Sequence, residues 1–200
     1  MQPSSLHRTS LAAACALGFV LAAAAQTPST GTTGAPSTTT TTSNDGNAKA
    51  GALSSGDLQF VEKAAMGGLA EVELGKLAQQ KATSDQVKTF AGHMVQDHTK
   101  ANDELKAIAT NKGARIPADP GEKHKTAMQK LQKLSGGEFD REYMKLMVAD
   151  HKETVADFKK QAQSGKDADL KGFAASALPK LEEHLKMAQS VREATKASKG

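Results

Sequence analysis

The sequence predicts an all-α protein, a bundle of four long amphipathic helices. Apolar and small side chains recur every three or four residues through four stretches after residue 57, the spacing that lines one face of a helix. Alternating β-branched segments, which build half-buried strands, are almost absent. Of the 200 residues 38% are apolar, and no run after the N-terminus is long enough to span a bilayer, so one folded domain is expected.

The N-terminus reads as a signal peptide over residues 1–25. His7 and Arg8 form a weakly basic start, Leu11 to Ala25 an apolar core, and Ala23, Ala24 and Ala25 a small-residue cleavage pattern before Gln26. The apolar run falls short of the ~20 residues a membrane span needs. Cys15, the only cysteine, lies inside that run, so cleavage leaves a chain without a thiol. Lipidation of Cys15 fits less well, because little apolar sequence precedes it and much follows. Cleavage removes one of the 26 basic side chains, Arg8, and none of the 22 acids, leaving a formal charge of +3. Lysines alternate with acids throughout, without the concentrated basic patch that nucleic-acid binding requires. Residues 26–56 are rich in Thr, Ser, Gly, Pro and Ala, including Thr38 to Thr42. Such a segment buries too little apolar surface to offset its ordering entropy and is expected to be a disordered linker. The folded domain is placed at 57–200.

A first helix is expected over 57–82, with Phe60, Ala64, Gly67, Leu74 and Ala78 on one face. Thr83-Ser84-Asp85-Gln86 resembles a capping box for a second helix reaching Lys112, whose stripe is Val87, Ala91, Met94, Ala101, Leu105 and Ile108. Gly113 and Pro117 end it. Residues 113–137 form a long connection with room for a short helix around Lys123 to Leu134. The third long helix, about Glu138 to Gln163, carries Met144, Met147, Val155, Phe158 and Ala162, and Gly165 breaks it. Asp167 is placed to cap the last helix, with Leu170, Phe173, Ala177, Leu181, Ala188 and Val191 on its face. Two hairpins joined by one long crossover is the connectivity of ferritin-like bundles.

Each stripe skips one position, and a polar residue fills it: Glu71, His98, His151 and His184. All four face the core near the middle of their helices, so antiparallel packing brings them to one level, within about one or two turns. Singly, a buried histidine is ordinarily satisfied by a neighbouring carbonyl or carboxylate. Three imidazoles and a carboxylate together are costly unless something uses them, and one metal ion satisfies all four. Ferritin-type dinuclear sites need an acid three residues before a histidine on two helices. Val95, Val148 and Leu181 stand there instead, so a mononuclear site for zinc, copper or iron fits better.

An acid precedes each histidine: Asp97, Asp150 and Glu183. These sit at the edge of the stripe, placed to orient a ligand or to form a salt bridge. Salt bridging suits Glu183, whereas Asp97 and Asp150 are close enough to turn inward. Met94, Met147 and Met187 are soft donors near the histidines, although methionine at core spacing usually only packs. The likeness of Met94–His98 to Met147–His151 fits either a duplication or a shared packing demand. Gly67 and Gly68 cost about 1 kcal/mol each inside a helix, which points to a close contact or an opening beside Glu71. Pro179 is expected to kink the last helix. His93 and His124 fall outside the stripes and are expected to face solvent.

From about Asp57 to Ala194 the chain resembles the bacterial domain-of-unknown-function 4142 family, within the ferritin-like group, through GGLAEVELGKLA, MVQDH, FDREYM, VADHK and LPKLEEHL. The resemblance implies a ferritin-like bundle in the cell envelope, periplasmic or secreted; members are often labelled outer membrane proteins. No membrane β-barrel strands are evident, so that label points to peripheral association at most. No nucleophile with a partnered base, phosphate-cradling loop or CxxC pair supports a hydrolase, kinase or thiol enzyme. The functional expectation is a metal-binding envelope protein concerned with metal handling or stress protection. The alternatives are a metal-free structural or interaction bundle and, more weakly, an iron or copper oxidoreductase.

Overall fold

The computed structural model describes residues 53–197. The expected signal peptide, Cys15 and the linker up to residue 52 lie outside them. Five helices follow in order: α1 (Ser55–Lys81), α2 (Asp85–Asn111), α3 (Gly121–Gln132), α4 (Gly136–Ser164) and α5 (Ala168–Ala197). The first helix thus starts two residues before its expected start at 57. Among the described residues there is no strand, and no helix is long and apolar enough to cross a membrane.

Helices α1 and α2 form one hairpin and α4 and α5 the other, with α1 packed on α4 and α2 on α5. Gln161 near the end of α4 donates to Asp57 at the start of α1, 2.7 Å away. At the other end, Thr83 after α1 donates to Asp140 at the start of α4. These contacts make α1 antiparallel to α4. The Lys112–Asp167 ion pair at 2.9 Å does the same for α2 and α5. The connection therefore runs the length of the bundle, α3 lying along α1 and α4, and the topology is the ferritin-like one. The likeness of α2 to α4 is not that of a repeated hairpin, which would match α1 to α4 and α2 to α5.

Two buried aspartates hold the ends. Asp57 accepts from Ser54 Oγ, Gln161 Nε2 and the backbone amides of Lys166 and Asp167, tying α1 to the α4–α5 turn. Asp140 accepts from the amides of Thr83 and Ser84 and from the Thr83 hydroxyl at 2.7 Å. This corrects the expected capping box: Thr83, its first residue, gives its hydroxyl to Asp140 of α4, and Ser84 makes no side-chain cap bond. Asp167 does cap α5, accepting from the amides of Asp169 and Leu170. Helix α5 continues through Pro179.

The glycines in α1 differ in their reasons. A Cβ on Gly68 would fall on the Asn102 side chain of α2, and one on Gly75 would lie 2.9 Å from Val95 Cγ2 and 3.0 Å from the Ala91 carbonyl oxygen. Around Gly67 there is open space. Both expected explanations for the glycine pair thus hold, one for each residue.

Candidate metal centre

The apolar core divides into two clusters. One, built on Leu74, Phe90, Met94, Tyr143 and Met147, fills the end near the α1–α2 turn. The other, with Phe60, Leu105, Phe158, Phe173 and Leu181, fills the opposite end. The skipped positions of the four stripes meet between them. Glu71 is 3% exposed, His98 6%, His151 0% and His184 1%.

The three imidazoles form a nearly equilateral triangle, with ring centroids 5.7 Å apart for His98 and His151, 5.4 Å for His98 and His184, and 5.6 Å for His151 and His184. One ring nitrogen of each lies within 4.8 Å of the other two. Glu71 reaches into the triangle: Oε2 lies 2.8 Å from His98 Nε2 and Oε1 lies 3.2 Å from His151 Nδ1. Both approaches suit ion pairs but are out of line for hydrogen bonds: His98 Nε2 in the first and Glu71 Oε1 in the second lack a hydrogen-bond partner.

Two rings are held by groups outside the triangle. His151 Nδ1 donates to the Met147 carbonyl oxygen one turn back, at 3.0 Å. His184 Nε2 donates to Asp97 Oδ2 at 2.8 Å. These bonds assign the tautomers and leave lone pairs on His151 Nε2 and His184 Nδ1, neither of which has a partner. Asp97 thus acts on α5 rather than on His98 beside it. Asp150 touches no histidine of the triangle; its neighbour is Lys123 at 3.8 Å. Glu183 is exposed and pairs with Lys180 at 2.8 Å, outside the site.

Burial raises the pKa of the Glu71 carboxyl, but the charges of His151 and His98 outweigh it and hold the group down at about 2. For His98 burial works against protonation, yet the Glu71 charge prevails and the pKa rises. His184 falls to about 4, driven by burial and only partly opposed by its bond to Asp97. The site thus pairs an ionised carboxylate with at least one readily neutral imidazole, the protonation state a metal ligand needs.

Sequence reasoning missed Tyr143, the one tyrosine. It stacks on Phe139 at 5.9 Å and meets Phe90 edge-on at 6.2 Å, with Phe90 in turn against His151. Its buried hydroxyl has no partner, and burial with the Glu71 charge pushes its pKa well up. Its place eight residues before His151, on the same helix face, was the available signal. His93 is exposed as expected, but His124 is not: it is half-buried and faces a cavity between α1, α3 and α4, because the crossover helix lies against the bundle. A second opening, about 250 Å³, reaches Glu71, His98 and His184 past Gly67 and Gly68.

A family profile described as a domain of unknown function (DUF4142) matches residues 42–191. The chain belongs to that family. Two solved structures share the DUF4142 chain's fold. A DUF305 fragment from Deinococcus radiodurans is 13% identical with a TM-score of 0.63, covering 71% of this chain and 98% of its own. CopM in its Cu(II)-bound form is 17% identical with a TM-score of 0.59, covering 68% and 95%. No curated protein matches the sequence. At such identities the likeness establishes the helical fold alone.

Proposed function

We propose that this protein is exported to the cell envelope, periplasmic or secreted, and binds a single transition-metal ion through Glu71, His98, His151 and His184, serving metal handling or protection against metal stress. One observation carries the reading: two lone pairs, on His151 Nε2 and His184 Nδ1, are buried between apolar layers with no partner. Leaving such groups unsatisfied costs about 1–3 kcal/mol each, and an ion offsets that cost. The donor set, three nitrogens and one carboxylate, fits the ion; Met147 and Asp97 would hold the His151 and His184 rings in place. A bound ion would supply Lewis acidity or, for copper and iron, one-electron chemistry. The fold shared with CopM, described in a Cu(II)-bound form, makes copper the first ion to try, with zinc and iron beside it.

The rival reading is a metal-free bundle whose polar core satisfies itself. The Glu71–His98 approach favours it, but it leaves the two lone pairs without partners. The deciding experiment is elemental analysis of protein purified without a metal-affinity tag, beside a His98→Ala, His151→Ala variant. About one equivalent of metal, lost in the variant, is expected. Absence of metal in both, with no uptake of copper, zinc or iron by the wild type, refutes the proposal.

A further inference from the structure

The cavity beneath the crossover helix, about 280 Å³, contains Met66 and Glu71 of α1, His124 of α3, and Asp150 and Glu153 of α4. Its charges do not cancel. Lys63 is taken by Asp157 at 3.2 Å and Lys123 by Glu153 at 2.8 Å. Asp150 is left over: it is 8% exposed, its Oδ2 has no hydrogen-bond partner, and Lys123 stands 3.8 Å from its other oxygen. A buried carboxylate oxygen in that position lacks the partner that would offset its desolvation.

His124 is prepared in the way His151 is. Its Nδ1 donates to the Pro120 carbonyl oxygen, one turn back, at 2.8 Å. The bond places the proton on Nδ1 and leaves a lone pair on Nε2. Gly121, at φ +78°, has Met66 Sδ 2.9 Å from where a Cβ would stand, so the thioether seats against the start of α3 only because that residue lacks a side chain. The Asp150 carboxylate, the His124 imidazole and the Met66 thioether therefore border the same cavity, and none of the three belongs to the core site.

The geometry points to a second cation site in this cavity, with Asp150 and His124 as ligands and Met66 as a neighbouring soft donor. The donor types suit copper or zinc rather than calcium or magnesium, which prefer oxygen alone. An entering ion takes the place that Lys123 fills incompletely. The site requires nothing of the core triangle and stands whether or not that triangle holds metal.

The test is Cu(II) titration of the full chain by equilibrium dialysis and electron paramagnetic resonance. A His7→Ala, His93→Ala background removes the imidazoles outside both sites. A His98→Gln, His184→Gln variant is expected to keep one equivalent of Cu(II) with the pattern of a single imidazole nitrogen. Adding His124→Ala should abolish that equivalent, and Asp150→Asn should weaken it at least tenfold. Circular dichroism confirms that each variant is helical. A core variant that binds no Cu(II), or an equivalent that survives both His124→Ala and Asp150→Asn, overturns the inference. A wild-type chain with one equivalent, lost on His124→Ala and kept by the core variant, would uphold this site and refute the core reading instead.

Discussion

Alanine at Gly67 and at Gly75 should move stability in opposite directions, although both residues lie in the same helix a turn from Glu71. In a helix interior the exchange of glycine for alanine contributes about 0.5–1 kcal/mol through reduced backbone entropy. At Gly67 nothing lies within 4 Å of the new Cβ, so the full gain is expected. For a domain of this size that raises the melting temperature by roughly 1–4 °C. At Gly75 the Cβ would meet Val95 Cγ2 at 2.9 Å and the Ala91 carbonyl oxygen at 3.0 Å. Backbone cannot step aside as a side-chain tip does, so α1 and α2 must separate. Overpacking of this kind costs about 1–3 kcal/mol, which exceeds the propensity gain and lowers the melting temperature by roughly 1–8 °C. Thermal melts by far-UV circular dichroism, in chelator to remove any metal-linked stabilisation, read both shifts. A Gly75→Ala protein as stable as Gly67→Ala would show that the two helices are not in close contact there.

Asp140→Ala removes the acceptor for the Thr83 and Ser84 amides and should cost about 2 kcal/mol, measured by urea unfolding. On the proposed function, metal at a hundred times its dissociation constant should stabilise the wild type by about 2.7 kcal/mol and leave His98→Ala, His151→Ala unmoved. Asp97→Ala frees the His184 ring and should weaken metal affinity about 10–100-fold in a competitive chelator titration, without abolishing binding. Burial raises the Asp57 pKa, but the bonds from Gln161, Ser54 and the Lys166 and Asp167 amides outweigh it, so the folded value lies below the ordinary one. Its contribution is therefore complete above the unfolded value, about pH 4, and is lost as pH falls through the folded value. Asp57→Asn should flatten the acid limb of the stability profile, and an unchanged limb would count against that network.

The helices, the crossover and the meeting of Glu71, His98, His151 and His184 were legible in the sequence. Their spacing records which face of a helix each side chain occupies, and a four-helix core leaves one inward direction. Whether those residues bind metal is a question of chemistry that periodicity does not answer. Tertiary structure alone decided the pairings between helices. Asp97 serves His184 rather than its neighbour His98, and Asp140 rather than Ser84 caps the α1–α2 turn. His124 lines a cavity beside Asp150 instead of facing solvent. The physical reason is the same in each case: a repeat of 3.6 residues specifies direction around one helix axis, while partners across helices depend on the axial register of one helix against another, set by packing and by the two buried aspartates that hold the turns.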